Sequence, residues 1–236
     1  MNFKKRVVFI TVFMLLATIP AMAQSPFQAG FNLLLGFPQG EFKENVDNVG
    51  FGLSGHFGYT IPSSPFSIGA EVGFLIYGRE TRREPLSTTI PDIVVDVETT
   101  NNILTGHLLL RVQPPLQTMI VRPYLEGLFG FHYLWTDTKI QDWDGDSRLG
   151  STNYDDAAMS YGGGGGVMIR VYQGRKEAGG GLYSVNIDLG FRYLLGGEAE
   201  YLKQGGIKRE NGSVIYSPSK SKTDLLMTNI GVTFAF

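Results

Sequence analysis

The chain holds three histidines, His56, His107 and His132, each in a stretch where apolar and polar residues alternate. A hydrolase or acyl transferase needs a nucleophile with a base within hydrogen-bond reach, so these imidazoles are the first groups to weigh. Counting alternate positions from the apolar neighbours puts all three on the polar side of their segments. Glu71, Arg111, Glu126, Arg170, Asp188 and Arg192 share that side. Three acids against three guanidinium groups read as charges that neutralise one another. With turns centred near residues 63–64 and 118, His56 comes opposite Glu71 and Arg111 beside Glu126. The expectation is an ion-pair network of His56, Glu71, Arg111, Glu126, Arg170, Asp188 and Arg192 that fills a narrow interior. A gated conduit through the same pairs is the alternative. No catalytic residue is assigned.

Two further stretches suggest chemistry. Five glycines at 162–166 look like a phosphate-cradling loop, but no Gly-Lys-Ser/Thr follows and no helix begins there. Glycines in a strand, with aromatics such as Tyr161 beside them, serve close backbone approach instead. In DWDGDSRLGSTNYDD, Asp142, Asp144 and Asp146 alternate as calcium ligands do, with Asp155 and Asp156 nearby. Ser147 stands where an EF-hand requires glycine, and Asn153 where it requires a bidentate glutamate. A solvated acidic loop is the first expectation, and weak calcium bridging by Asp142, Asp144 and Asp146 the second.

These groups need elements to hold them. The first residues, MNFKKRVVFITVFMLLATIPAMAQ, read as a basic, then apolar, then small-x-small secretory signal. The expected organisation is a signal peptide at 1–23 and one domain at 24–236. Removing 1–23 takes away Lys4, Lys5 and Arg6 and makes the formal charge of −2 more negative. With no cysteine in the chain, disulfides, thiolate metal sites and a lipid-modified cysteine are excluded. A mild acidic balance with no basic run argues against nucleic acid. Nothing calls for a cofactor.

Past residue 24 the period is two. Segments with that alternation begin near Phe27, Phe51, Phe66, Asn102, Pro123, Ser160, Leu182 and Leu225. One face runs Phe31, Leu33, Leu35; Phe51, Leu53, Phe57; Val72, Phe74, Ile76; and so on to Ile230, Val232, Phe234 and Phe236, without a charge. An Arg or Lys facing lipid near the bilayer midplane costs roughly 2–4 kcal/mol, so a charge-free aromatic face is the mark of lipid contact. Tyr59, Tyr133, Trp135, Tyr183 and Tyr193 sit towards strand ends, as an interfacial girdle would. Connections alternate too. IPSS, QPPLQTMIV and QGRKEAGG are short, and the four between them are long. With antiparallel neighbours, all the short turns fall at one end. The fold class that follows is all-β: a closed antiparallel eight-stranded up-and-down transmembrane β-barrel. A bilayer leaves no backbone group unpaired, so the last strand must bond the first. A soluble ligand-binding barrel with the greasy face inward is the rival, and it would have to pack those aromatics into a narrow bore.

On PYLEGLFGFHY, VNIDLGFRYLLGG and TNIGVTFAF, together with strand count and loop asymmetry, residues 24–236 resemble the small outer-membrane barrels of the OmpA/OmpX/OmpW-like group. The resemblance implies an integral protein of a diderm cell's outer membrane, a monomer, in contact with outer-membrane lipid and lipopolysaccharide. It implies that the barrel-assembly machinery reads the row Ile230, Val232, Phe234 and Phe236. It also implies a structural or surface-interaction role, with an extracellular ligand at the long loops. A narrow channel for small or apolar solutes is the alternative. Lipid A deacylases and palmitoyl transferases resemble the chain in size and fold, but their histidines act at the outer leaflet, and here the long loops hold none. No peptidoglycan-binding domain is expected after Phe236. The flanks VVDVETT and GSVIYSPS of loops two and four are expected to continue as hairpins above the membrane.

Overall fold

In the computed structural model, residues 26–62, 64–85, 94–114, 119–141, 147–174, 182–210 and 213–236 are described. The leading 25 residues, and with them the expected signal peptide, lie outside these ranges. So do Asp142, Asp144 and Asp146.

Alternation sets the architecture. Strands β1 (Phe27–Pro38), β2 (Gly50–Thr60), β3 (Phe66–Pro85), β4 (Val94–Val112), β5 (Val121–Gln141), β6 (Ser147–Gln173), β7 (Ser184–Gly196) and β10 (Leu225–Ala235) form a closed barrel. Its order is β1-β10-β7-β6-β5-β4-β3-β2, every neighbour antiparallel. Closure is made by β1 on β10, with Phe31 opposite Val232 and Leu33 opposite Ile230. Phe236 donates its N–H to the Phe27 carbonyl at 3.0 Å. No N–H row of β10 is left open to hydrocarbon, where each unpaired group would cost several kcal/mol (about the cost of an unmet hydrogen bond in an apolar medium).

The charge-free face points outward. Phe31, Leu125 and Leu108 are 72%, 70% and 66% exposed, and Leu53, Val72, Phe129, Phe191 and Ile230 belong to the same outer surface. Polar and charged partners one residue along are buried, including Asn32, Glu71, His107, Glu126, Asp188 and Arg192. Phe27 stacks on Phe57, and Tyr133 on Trp135 beside Phe74.

Strand lengths divide the barrel in two. A membrane strand needs about 9–11 residues. β1, β2, β7 and β10 have 11–13 residues, and β3 to β6 have 19–27. The surplus lies at the long-loop end, where β3–β4–β5–β6 stand above the membrane as a continuous wall. Bulges at Ile76/Gly78 and Thr136/Asp137 mark where it leaves the barrel. Loops two and three are therefore hairpins of paired strand, and loop four forms a separate sheet, β8 (Glu198–Glu210) with β9 (Ser213–Lys222). Loop one holds a short helix, α1 (Gly40–Asn45), which alternation alone does not foretell. Gly40 enters it at φ +53°, where a side chain is strained.

Candidate functional site

Inward residues stack in layers. The central layer is ionic. From β7, Arg192 donates through Nε to Glu126 Oε1 on β5 at 2.6 Å and through Nη1 to Glu71 Oε1 on β3. Arg111 on β4 donates through Nε and Nη2 to Glu126 Oε2 at 3.0 and 2.8 Å. Its Nη1 lies 3.7 Å from Asp188 Oδ2, and its guanidinium sits 4.0 Å above the Tyr124 ring. Tyr124 in turn donates to Asp188 Oδ1 at 2.7 Å. Four strands are thus tied across the bore by two cations and three carboxylates, all at most 5% exposed at the side chain. Charge-assisted bonds of this kind are the strong ones, and removing one partner strands the others.

Two of the expected members stand elsewhere. His56 is opposite Glu71 in register, yet its ring bonds are to Asn32 Nδ2 at 3.3 Å and Thr233 Oγ1 at 3.3 Å. Arg192 reaches Glu71 from across the bore, and a guanidinium can offer the carboxylate several donors where an imidazole offers one. Arg170 sits towards the short-turn end, half-buried, its backbone N–H bonded to Ile120 O at 2.9 Å. None of the central bonds just described reaches it. Arg122, which the alternation pattern leaves at a strand boundary, is instead fully buried beside Asn186.

Above the ionic layer runs a chain of neutral donors and acceptors. His107 Nε2 is 3.2 Å from Ser160 Oγ, which is 2.9 Å from His132 Nε2. His132 Nδ1 is 3.4 Å from Thr223 Oγ1, and Thr223 donates to Gly197 O at 3.2 Å. A hydroxyl has one proton. Thr223 gives its own to a carbonyl, so His132 must donate from Nδ1 and accept at Nε2. Ser160 therefore gives its proton to His132, and His107 donates from Nε2 to Ser160. The serine lies between two bases, but Ser160 and His132 are both fully buried inside the barrel, away from the lipid face.

The outer third of the bore is apolar. Leu34, Leu75, Ile103, Leu128, Leu134, Leu194, Leu225 and Met227 fill it, all of them buried. Inward positions of an extended strand carry no mark separating a residue deep in the bore from one near its mouth, so the layering is invisible in the pattern. Phe42 of α1 closes the top, edge-on to Tyr77 at 5.7 Å and to Tyr201 of β8 at 5.1 Å. Burial raises the Tyr201 phenol pKa above its ordinary value, and its oxygen lies 2.7 Å from Ser221 Oγ. Gln39 N bonds Asp224 O at 2.9 Å and Lys222 N bonds Glu41 Oε2 at 3.2 Å, so α1 is pinned to the root of β9.

Outside, β8 is held at both edges of the wall. Gly197 N bonds Met159 O at 2.7 Å and Glu200 N bonds Asp156 Oδ2 at 2.8 Å on the β6 side. On the β3 side Arg82 Nη1 donates to Ile207 O at 2.6 Å and Gly205 N to Glu80 Oε2 at 3.1 Å. Tyr154 donates to Glu200, and that bond pushes its phenol pKa up. Asp155 accepts from Tyr133 at 2.8 Å. These carboxylates are occupied in fixing strands. No grouping of three or more metal-ligating side chains occurs among the described residues.

A family model described as outer membrane protein beta-barrel domain matches residues 9–236. Among curated proteins no match was found. Among solved structures, Neisserial surface protein A is 14% identical, over 90% of this chain and 98% of that one, with a TM-score of 0.47. The attachment invasion locus protein Ail of Yersinia pestis, solved with the heparin analogue sucrose octasulfate, is 12% identical over 90% and 97%, with a TM-score of 0.39. A major outer membrane protein from Thermus thermophilus is 13% identical over 88% and 99%, also with a TM-score of 0.39.

Proposed function

The chain belongs to the outer membrane protein β-barrel domain family, and from that premise we propose that it is a closed-bore surface protein. It anchors in the outer membrane and works through what it carries outside. Outer membrane localisation follows from the family. Export through a cleaved signal peptide at 1–23, a monomeric state and contact with lipopolysaccharide are part of the same proposal. So is recognition of the row Ile230, Val232, Phe234 and Phe236 by the barrel-assembly machinery.

One observation carries the reading: the bore is blocked twice over. Phe42, Tyr77 and Tyr201 seal an apolar layer, and the Arg192 and Arg111 ion pairs fill the layer below. A permeant ion would have to displace both. Eight strands enclose little more than side-chain volume, which leaves no bypass. Liposome swelling and single-channel recording test this directly. The expected result is no stable conductance, and a large, steady one would establish the narrow-channel reading in its place.

Interaction then falls to the wall and the β8–β9 hairpin. Lys222 N–H, taken by Glu41, points away from β8, so by the period of two Pro218 faces the same free edge and has no N–H to give. Strand addition along β9 is thereby blunted, and recognition there rests on side chains. Ile215 and Tyr216, each 43% exposed, lie on opposite faces of β9, and a protein partner that grips the hairpin would cover both. Replacing both by serine should abolish surface binding of such a partner while leaving the barrel folded. Retained binding by that double variant, or by a deletion of residues 80–95, counts against a role for these hairpins.

A further inference from the structure

On the outer face, at the long-loop end, three register rows record where hydrocarbon gives way to water. The lowest runs Phe74, Leu104 and Tyr133 across β3, β4 and β5. The next is Ile76, Asn102, Trp135 and Asp155, reaching β6, and the third is Arg79, Thr100, Asp137 and Thr152. Apolar side chains end at the second row and charges begin there. That places it at headgroup level, where tyrosine and tryptophan collect.

The rings of this patch are fixed in place by carboxylates. Tyr133 stacks on Trp135 with centroids 5.5 Å apart, and Phe74 reaches Trp135 from β3 at 5.7 Å. Trp135 donates through Nε1 to Asp137 Oδ2 at 2.8 Å, and Thr152 donates to Asp137 Oδ1 at 2.9 Å. Tyr133 donates to Asp155 Oδ2 at 2.8 Å. Every one of these donors is neutral. The cations of the same face are taken by other acids: Arg79 donates to Glu98 at 2.8 Å, and Arg83 lies 3.3 Å from Asp96. Lys139, the next outward residue of β5, stands opposite Glu98 in register. Among the described residues no cation bonds Asp137 or Asp155. Two carboxylates without a counter-charge therefore flank three rings, on a surface where Phe74 is 37% exposed and Asp155 is exposed.

A ring face attracts a cation lying within about 6 Å of its centroid, and a carboxylate beside it adds direct Coulomb attraction. An anion alone would be repelled. Continuity with the apolar face below selects a lipid as the bearer of that cation. A molecule whose chains lie along Phe131 and Leu108, outward residues of the rows beneath, brings its headgroup to this level.

We propose that the patch is a docking site for the ammonium group of a lipid headgroup. Trp135, Tyr133 and Phe74 supply the ring faces, and Asp137 and Asp155 supply the counter-charge. The inference needs only that the outer face meets lipid, and it stands apart from the blockage of the bore.

The experiment uses the full chain carrying Trp143→Phe, which leaves Trp135 as the one tryptophan of the original two, refolded in dodecyl maltoside micelles at constant ionic strength. Dihexanoylphosphatidylethanolamine should change the Trp135 emission in a saturable way. Dihexanoylphosphatidylglycerol, with the same chains and no ammonium, should not. Asp137→Asn together with Asp155→Asn should abolish the saturable change while still showing the band shift of a folded barrel between unboiled and boiled gel samples. Phe74→Leu keeps an apolar side chain and both carboxylates, and should weaken binding roughly two- to five-fold, the worth of one exposed cation–π contact. That variant decides the matter if the double variant does not fold. An equal response to phosphatidylglycerol, an equal response in the double variant, or unchanged affinity in Phe74→Leu would overturn the proposal. So would a response to trilysine in place of the lipid, which would make this surface the seat of a basic protein segment.

Discussion

Arg192 and Glu71 lie 121 positions apart in the chain and meet inside the bore as a hydrogen-bonded ion pair. The same guanidinium holds Glu126 at 2.6 Å, so one side chain ties β7 to both β3 and β5. Arg192→Gln leaves two buried carboxylates short of a cation and should cost about 3–5 kcal/mol in urea unfolding of the refolded protein. Replacing Arg192 and Glu71 together by leucine should recover much of that loss, because no charge of the pair is then stranded. A single variant within about 1 kcal/mol of the parent, the value of an exposed pair, would show that the layer contributes little.

Phe42 tests the outer seal. Phe42→Ala removes a fully buried ring and should cost about 3–5 kcal/mol if the site does not collapse. Liposomes carrying this variant should remain impermeable, because the ionic layer lies beneath. Combining it with Arg192→Gln and Glu71→Gln opens both layers and should yield conductance. A leak from Phe42→Ala alone would place the whole barrier at the cap.

Glycines 162–166 separate two kinds of backbone contact. A β-carbon at Gly162 would overlap the Tyr193 carbonyl oxygen and one at Gly164 the Phe191 carbonyl oxygen, whereas one at Gly127 meets nothing within 4 Å. Gly162→Ala or Gly164→Ala should impair folding yield on the band-shift gel. Gly127→Ala, on the lipid face of the adjoining strand, should fold like the parent. Equal behaviour of the three would mean that the strands have room to part.

Leu108 tests the solvent of the outer face. At 66% exposed on mid-β4, Leu108→Arg should lose roughly 2–4 kcal/mol in vesicles, the cost of arginine near the midplane. An unchanged stability there would mean that hydrocarbon does not surround this position.

The histidine chain makes a spectroscopic prediction. Two-bond ¹H–¹⁵N correlations should show His132 with its proton on Nδ1 and His107 with its proton on Nε2. Thr223→Val removes the acceptor of the His132 proton and should switch His132 to the other tautomer. Observation of the Nε2–H form of His132 in the parent would break the direction of the chain.

Much of the barrel was legible because alternation is a property of neighbours in sequence. Strand phase, the outward row and the opposition of His56 to Glu71 all follow from turn position and a period of two. Bonding across the bore does not. Arg192 could not be matched to Glu71, nor Arg122 to Asn186, because barrel closure and shear decide which distant inward residues share a layer. The acidic loop shows the same limit. Asp155 and Asp156, which lie near the calcium candidates Asp142, Asp144 and Asp146, are taken by Tyr133 of β5 and by the Glu200 backbone, the latter a partner that only the arch of β8 over the wall supplies. Helix α1 was hidden because its six residues are too few for a helical period to stand out.

The Arg82–Ile207 and Glu80–Gly205 bonds make the second and fourth outer loops a single inheritance unit. Grafting the β3–β4 tip onto another scaffold without its distant companion would strip the Arg82 guanidinium and the Glu80 carboxylate of these partners. Variation at these positions should therefore arrive in matched sets, and a chimera that exchanges only one of the two loops will carry a loosened crown on an intact stave.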